Sequence, residues 1–268
     1  VAQVGPDVTG WKVGDEVCAL LTGGGYAQKV AVPAGQLLPI PHNVSLIDAA
    51  ALPEVVATVW SNLAMLAHLR AGETVLIHGG TSGIGTMAIQ IARELGARTI
   101  VTCGNQTKVD AALALGADHA INYRESDFAD QVHALTQGAG VDVILDVMGA
   151  KYLEPNVRSL AANGRLVIIG LQGGTKGEID LNRLLTKRAA VLATSLRGRP
   201  VAEKAAIVDS VLEHVWPLIE QGIIKPVIDQ RLPLAKVAQA HDRMEASEHI
   251  GKIILTMTPS DPSFERTN

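Results

Sequence analysis

The segment that most constrains the fold is Thr74–Gly85, which reads TVLIHGGTSGIG. An apolar strand pattern ends there in a glycine-rich turn, and the helical pattern TMAIQIARELG follows directly. Such a strand–turn–helix unit directs backbone N–H groups and a helix N-terminus at a pyrophosphate, although a glycine turn can also be purely structural. The spacing departs from G-x-G-x-x-G, and Ser82 stands where the backbone approaches the ligand closely. We expect the Ser82 hydroxyl and the N–H groups of Gly83 and Ile84 to bind phosphate.

Regular alternation of strand and helix patterns continues on the C-terminal side of this turn. The apolar residues, 47% of the chain with only 3% aromatics, are those of strands buried on both faces of a parallel sheet. The pattern predicts an α/β fold, a Rossmann doubly wound parallel sheet over residues 55–199. The strand patterns are TVLIHG, RTIVTC, HAINY, VDVILDV, RLVIIG and AVLAT. Gly96, Gly116 and Gly164 are predicted to end helices.

The flanking segments predict a second domain made of residues 1–54 and 200–258. EVCALL and YAQKVAVP have the short alternation of antiparallel strands, and VIDQRLPL and GKIILTM form two more strand patterns around one helix. Ser45 is expected to cap a helix that Pro53 breaks, and Pro217 to interrupt a later helix. Residues 259–268 are polar and predict a flexible tail. Because the sequence starts with Val1 within a β-pattern, we expect part of this domain to precede it.

The residues after the second strand of the sheet indicate which cofactor the turn binds. An NAD-binding protein places a carboxylate about twenty residues after the glycine turn, to bind the ribose 2′-OH. This chain has Gly104-Asn105-Gln106-Thr107-Lys108 there and no acidic residue between Thr102 and Val109. Lysine offers a point charge to a 2′-phosphate, although a solvated lysine at a helix start is also common. We therefore predict NADPH, with Asn105 and Tyr123 beside the adenosine.

Charge and cysteine content exclude several other classes of protein. A net charge of −4 offers no basic field for nucleic acid or an anionic membrane, and no apolar run approaches the roughly twenty residues of a membrane span. The two cysteines are far apart and no signal peptide is visible, which favours a cytoplasmic protein. Two isolated cysteines and unpaired histidines cannot supply a zinc ligand set, so no metal is expected. Neither a G-x-S-x-G elbow nor a P-loop is present.

Glycines also follow the fourth and fifth strands, in Asp146–Gly149 and Gly170–Gly173. Ligands of doubly wound sheets lie at these carboxyl ends, although ordinary turns use the same residues. AVLAT is expected at an exposed edge of the sheet, and pairing with a second copy would bury it. We therefore expect a homodimer.

Several runs together resemble the quinone oxidoreductase/zeta-crystallin branch of the medium-chain dehydrogenase/reductase superfamily. They are AAALPEVVATVW, VLIHGGTSGIGTMAIQIARELGA, LGADHAINYRESDF, VDVILDVMG and HIGKIIL. The resemblance extends from Val1 to about Met257, and GGGYAQKVAVP together with the HGGTSGIG turn is most similar to the subgroup of the tumour-suppressor-inducible quinone oxidoreductase. It implies a zinc-free, NADPH-dependent enzyme with a GroES-like domain, incomplete here at its N-terminus, beside the Rossmann domain.

The resemblance also assigns residues along the cofactor. It places Thr58 near the nicotinamide, Ser82, Gly83 and Ile84 at the pyrophosphate, and Asn105, Lys108 and Tyr123 at the 2′-phosphate and adenosine. The residues implied at the nicotinamide end are Gly170, Leu171, Gln172, Ser195, Leu196 and Arg197, with Ser247 as a further candidate.

The activity implied is hydride transfer from NADPH to a quinone or a related electron-poor enone. No side chain is assigned as a general acid, because quinone reduction can take its protons from water. Two alternatives remain: reduction of an enoyl thioester such as a 2-enoyl-CoA or enoyl-ACP, and NADPH binding without catalysis.

Overall fold

The computed structural model describes residues 1–257, which form two compact units. The sheet unit is Thr58–Ser195, and the split unit combines Val1–Ala57 with residues 196–257. The units therefore divide after residues 57 and 195, where the sequence predicts boundaries after residues 54 and 199. The tail predicted for residues 259–268 lies outside the described residues.

The sheet unit is built on six parallel strands in the order β5-β4-β3-β6-β7-β8, as predicted for a doubly wound sheet. The strand order reverses between β3 and β6, which makes a topological switch point at the carboxyl ends of these two strands. The strands are β3 Thr74–His78, β4 Arg98–Cys103, β5 His119–Asn122, β6 Val141–Asp146, β7 Leu160–Ile168 and β8 Ala190–Ala193.

Five helices connect these strands and cover the faces of the sheet. They are α3 Gly83–Glu94, α4 Gln106–Ala114, α5 Phe128–Leu135, α6 Leu153–Ser159 and α7 Leu181–Lys187. Gly96 and Gly116 follow α3 and α4 with φ of 75° and 106°, as expected for glycines that end helices. The apolar faces meet in a core of fully buried side chains that includes Leu76, Ile100, Ile144 and Leu166.

The end of α6 differs from the prediction. The helix ends at Ser159 rather than before Gly164, and the chain becomes extended at Leu160, where β7 begins. The Lys187 ammonium group donates to the carbonyls of Val157 and Arg158, at 3.1 and 2.7 Å. A lysine from another helix thus satisfies the last carbonyls of α6, and no glycine is needed for that purpose.

The split unit contains two separate two-stranded sheets. Strands β1 Val17–Ala19 and β2 Leu37–Pro39 pair antiparallel, and β9 Ile228–Pro233 pairs parallel with β10 Lys252–Thr256. The strand predicted in YAQKVAVP is wrong, because residues 26–33 are mostly exposed and no strand of residues 1–257 pairs with them. The helices of this unit are α1 Leu46–Ala49, α8 Val201–His214, α9 Trp216–Glu220 and α10 Val237–Glu245.

Helix α2, Pro53–Trp60, connects the two units. The predicted helix limits are confirmed: Ser45 Oγ accepts from the Asp48 N–H at 3.1 Å, α2 begins at Pro53, and Pro217 lies at the start of α9. Leu46–Leu66 is long and apolar enough to cross a membrane, whereas no apolar run of that length was expected from the sequence. Because 67% of its most apolar window is buried inside the protein, the segment has the character of a core helix.

Candidate functional site

The turn between β3 and α3 lies at the switch point and depends on three glycines. Gly79 has a φ of 73°, which favours glycine. A Cβ atom on Gly80 would lie 2.7 Å from the Val101 side chain on β4, and one on Gly85 would overlap the Gly79 carbonyl oxygen. The glycines therefore allow the tight turn, its approach to β4 and the packing of α3 against it.

Ser82 is the N-cap of α3. Its Oγ accepts a hydrogen bond from the Gly85 N–H at 3.0 Å, and its own hydroxyl proton can still be donated. Among the described residues, none accepts a hydrogen bond from the N–H of Gly83 or Ile84. The turn thus presents two backbone donors and one hydroxyl at the positive end of a helix dipole, a suitable arrangement for a phosphate oxygen.

A second group of candidate residues gathers at the carboxyl ends of β4 and β5. Asn105 caps α4, because its Oδ1 accepts from the backbone N–H of Lys108 at 2.9 Å. The Tyr123 N–H donates to the Cys103 carbonyl at 3.1 Å. A Cβ atom on Gly104 would lie 2.8 Å from the Tyr123 hydroxyl oxygen, so a glycine is needed where the ring passes the chain.

The charge of this second group is positive. Lys108 is half-buried and lies near the Cys103 thiol. Burial raises the pKa of Cys103 to about 11, although the positive charge of Lys108 opposes this rise. The first carboxylate along α4, on Asp110, accepts from the Gln106 amide at 2.7 Å. The structure thus brings Asn105, Lys108 and Tyr123 together, as predicted. They lie at the strand end where NAD-binding proteins place a carboxylate for the ribose 2′-OH.

The loops after β6 and β7 are interleaved. The Gln172 N–H donates to the Val147 carbonyl at 3.2 Å, and the Gly173 N–H donates to the Met148 carbonyl at 2.7 Å. A Cβ atom on Gly170 would lie 2.7 Å from the Val147 carbonyl oxygen. Gly170, Leu171 and Gln172 therefore line one side of the switch point, beside the glycine turn.

Thr58 is buried near the end of α2, and Asn62 connects it to the end of β8. The Asn62 amide donates to the Thr58 carbonyl at 2.8 Å, and its Oδ1 accepts from the Thr194 hydroxyl at 2.6 Å. Asn62 is only 2% exposed and was missed by the sequence analysis. Through it, the backbone carrying Thr58 is tied to the residue that precedes Ser195.

Three of the candidate residues, Leu196, Arg197 and Ser247, belong to the split unit. Arg197 is exposed and Leu196 half-buried. Ser247 has a φ of 54° and follows α10, where its N–H donates to the Met244 carbonyl at 3.0 Å. The backbone of Ser247 therefore serves to end a helix.

Beneath the glycine turn lies a buried polar network that sequence reasoning missed. His78 Nε2 lies 2.7 Å from Asn156 Oδ1, and His78 Nδ1 lies 3.1 Å from Thr102 Oγ1. Burial lowers the pKa of His78 to about 4, although the hydrogen bond to Asn156 opposes this, so the ring is neutral at pH 7. Since Asn156 Oδ1 can only accept, Nε2 carries the proton and Nδ1 accepts from the Thr102 hydroxyl.

Asp146 lies beside this network, close enough for Asn156 to affect its pKa. Its carboxylate is fully buried and accepts from the N–H groups of Met148 at 2.7 Å and Gly149 at 3.0 Å. Burial raises the pKa of Asp146, while these two bonds oppose the rise. The Asn156 amide nitrogen also favours the charged form of this carboxylate. This nitrogen itself has no partner at normal hydrogen-bonding distance.

The network joins β3, β4 and α6 and holds the glycine turn, while Asp146 on β6 holds the neighbouring loop. The Thr102 hydroxyl accepts from the Gly79 N–H at 3.3 Å, and the Thr102 carbonyl accepts from the Gly80 N–H at 2.9 Å. Asp146 holds the start of the loop after β6. The one signal in the sequence is that His78, Thr102 and Asp146 are polar residues that follow the apolar middle of their strands.

The described part of the chain does not bring together three or more His, Cys, Asp or Glu side chains that could hold a metal ion. Cys18 and Cys103 are both buried and unbridged. Burial raises the pKa of Cys18 to about 12, so this sulfur stays a neutral thiol. Metal ions in proteins bind the thiolate, and neither cysteine is poised to supply one.

A doubly wound sheet with a glycine turn and a free helix N-terminus at its switch point defines a dinucleotide-binding fold. Residues 83–212 match the family model described as zinc-binding dehydrogenase. Rat quinone oxidoreductase is 31% identical over 262 residues, which cover 96% of this chain and 77% of that protein. The chain belongs to the quinone oxidoreductase branch of the medium-chain dehydrogenase/reductase superfamily, a superfamily of oxidoreductases, and the predicted resemblance to this branch is confirmed.

Solved structures agree with this assignment. Escherichia coli quinone oxidoreductase complexed with NADPH superposes with a TM-score of 0.84 at 30% identity, over 95% of this chain and 78% of that one. The apo JamJ enoyl reductase has a TM-score of 0.85 at 27% identity, over 95% and 76%. The chain also matches polyketide synthases, of whose length it spans 10 to 12%.

Proposed function

We propose that this protein binds NADPH and reduces a quinone or a related electron-poor enone by hydride transfer, without zinc. The observation that carries the proposal is the positive cluster at the ends of β4 and β5, where Lys108 lies beside Asn105 and Tyr123 and no carboxylate takes the ribose position. The NADPH complex of the E. coli relative supports the same cofactor.

The residues of the sheet unit fit the parts of a dinucleotide in order along the strand ends. The N–H groups of Gly83 and Ile84 and the Ser82 hydroxyl are suited to the pyrophosphate, because nothing described accepts from the two backbone donors. Lys108 is suited to the 2′-phosphate, Asn105 to the adenosine ribose, and Tyr123 to the adenine.

At the other end of the site, the proposed nicotinamide neighbours are Thr58, Gly170, Leu171, Gln172 and Ser195. When bound, NADPH supplies the hydride. The protein then contributes alignment and exclusion of water, with the interleaved loops after β6 and β7 as one wall. Leu196, Arg197 and Ser247 remain sequence-based proposals for the same end.

The zinc-free mechanism is a proposal based on the donor set. Two separate, buried and neutral thiols are unsuited to a site that needs thiolates and imidazoles close together. The same unbridged cysteines support a cytoplasmic location.

A second candidate activity is reduction of an enoyl thioester, which the JamJ enoyl reductase and the polyketide synthase matches favour. A third candidate is NADPH binding without catalysis.

Oxidation of NADPH should be followed at 340 nm with 1,4-benzoquinone and with crotonyl-CoA as acceptors. We expect turnover with the quinone. Turnover with crotonyl-CoA alone would establish the second candidate, and saturable NADPH binding without turnover on either acceptor would establish the third.

A further inference from the structure

A cavity in the split unit is lined by two basic side chains. Its volume is about 170 Å³. All of its lining residues belong to the split unit, and none of them is among the residues that we assign to the adenosine end of NADPH. The lining residues are Leu20, Leu21, Glu54, Leu196, Arg197 and Lys204.

Lys204 is a buried cation on α8. Its residue is 4% exposed, and its Nζ donates to the Thr22 hydroxyl oxygen at 2.9 Å. Within residues 1–257, no carboxylate lies at ion-pairing distance from Lys204 or from Arg197. Burial of an ammonium group without a counter-charge is unfavourable, and buried charges in proteins are normally paired.

The cavity has one acidic residue, Glu54, and this carboxylate already has a partner. Its Oε2 lies 3.0 Å from the Nζ of Lys252 on β10. The lining therefore keeps an excess of positive charge on Lys204 and Arg197, whereas the three leucines make the remaining wall apolar.

We propose that this cavity binds a small organic carboxylate. The carboxylate would lie between the Lys204 ammonium group and the Arg197 guanidinium group, which suits the two oxygens of such a ligand. The Thr22 hydroxyl accepts from Lys204 and can donate its own proton to the same ligand. Leu20, Leu21 and Leu196 would contact a short apolar body.

The volume limits the size of the ligand. Pockets for drug-sized molecules occupy roughly 300 to 1,000 Å³, so a cavity of about 170 Å³ suits an acid of a few carbons and not a dinucleotide or an acyl carrier arm. The apolar wall favours such an acid over inorganic phosphate. The cavity shares Leu196 and Arg197 with the residues proposed for the nicotinamide end, and a small carboxylate adds a ligand class for them. Because carboxylate binding is measured without NADPH, its failure would be distinguishable from a failure of the proposed hydride transfer.

Direct titration of the full chain tests the proposal. Sodium butyrate is added at constant ionic strength, and binding is followed by saturation-transfer NMR and by the thermal unfolding midpoint, with inorganic phosphate as the second probe. We expect saturable butyrate binding that raises the midpoint, and weaker binding of phosphate. Lys204→Met and Arg197→Met should each weaken butyrate binding about tenfold or more, because each removes a charged hydrogen-bond donor.

Lys236→Met is the matched control, because Lys236 is an exposed lysine of the same unit and does not line the cavity. Its affinity for butyrate should equal that of the unchanged chain. The proposal is overturned if butyrate shows no saturable binding, if both cavity variants bind it unchanged, or if phosphate binds as tightly. Should Lys204→Met fail to fold, the exposed Arg197 position decides the outcome alone.

Discussion

His78 supports the glycine turn through Thr102, and its neutral ring makes that support dependent on pH. The pKa of His78 is about 4 in the folded chain, against about 6.5 for an unperturbed histidine. The unfolded chain therefore binds more protons than the folded chain between these two values. Stability should consequently fall as the pH drops from 6.5 to 4, by about 3 kcal/mol from this residue.

We predict that His78→Phe removes this dependence. The variant should be less stable at pH 7, by about 2 to 4 kcal/mol, because Asn156 and Thr102 lose a buried partner. Its unfolding free energy, measured by urea titration, should vary less between pH 6.5 and 4 than that of the unchanged chain. His133→Phe, at an exposed site on α5, is the control and should leave the pH dependence intact. An equal slope in His78→Phe would refute the neutral histidine.

Single residues also show what the sequence could predict about the site. Lys108, Asn105 and Tyr123 were predicted together because the end of a Rossmann strand fixes where a ribose lies, and the structure gathers them there. The network of His78, Asn156 and Thr102, with Asp146 beside it, was missed. One polar residue at each of several strand ends carries no periodic signal, and the contacts join residues 78 positions apart.

At the scale of elements, Ser82 both caps helix α3 and belongs to the proposed phosphate site. Aspartate is as good an N-cap as serine, so Ser82→Asp should keep the cap of α3 and change the unfolding free energy by less than about 0.5 kcal/mol. It would also place a negative charge where the pyrophosphate is proposed to bind. We expect NADPH affinity to fall tenfold or more, as measured by fluorescence titration.

Ser82→Ala provides the comparison. It should cost about 1 kcal/mol of stability through loss of the cap, and weaken NADPH binding less than aspartate does. If Ser82→Asp binds NADPH as well as the unchanged chain, the turn does not hold the pyrophosphate.

Most elements were predictable because their limits are local. Ser45, Pro53, Gly96 and Gly116 act through the chain on either side of them, so their effects can be read from the sequence. The end of α6 was not predictable, since it depends on Lys187 from a different helix. The strand expected in residues 26–33 has suitable alternation but no partner among the described strands, and pairing is what stabilises a strand.

At the scale of the whole molecule, the edge strand β8 supports the proposed homodimer. It pairs with β7 on one side only, and its Val191 is 37% exposed. On α7, Leu181 and Leu185 are 69% and 76% exposed. Open strand edges and exposed apolar residues are both common at sites of self-association.

We predict that Val191→Lys weakens a dimer, because two edge strands paired across a symmetry axis would bring the added charges together. Sedimentation velocity should give a dimer for the unchanged chain and a larger monomer fraction for the variant. Val201→Lys is the control, at an exposed valine of α8 in the split unit. A monomeric unchanged chain, or a variant that stays dimeric, would exclude this edge as the interface.

The account as a whole rests on the identity of the cofactor, and Lys108 allows the most direct test of it. Dissociation constants for NADPH and NADH should be measured by fluorescence titration for the unchanged chain and for Lys108→Ala. We predict that the unchanged chain binds NADPH more than tenfold more tightly than NADH. Lys108→Ala should lose most of this preference because its affinity for NADPH falls, since only NADPH carries the 2′-phosphate. Equal weakening of both cofactors, or a preference of the unchanged chain for NADH, would contradict the account.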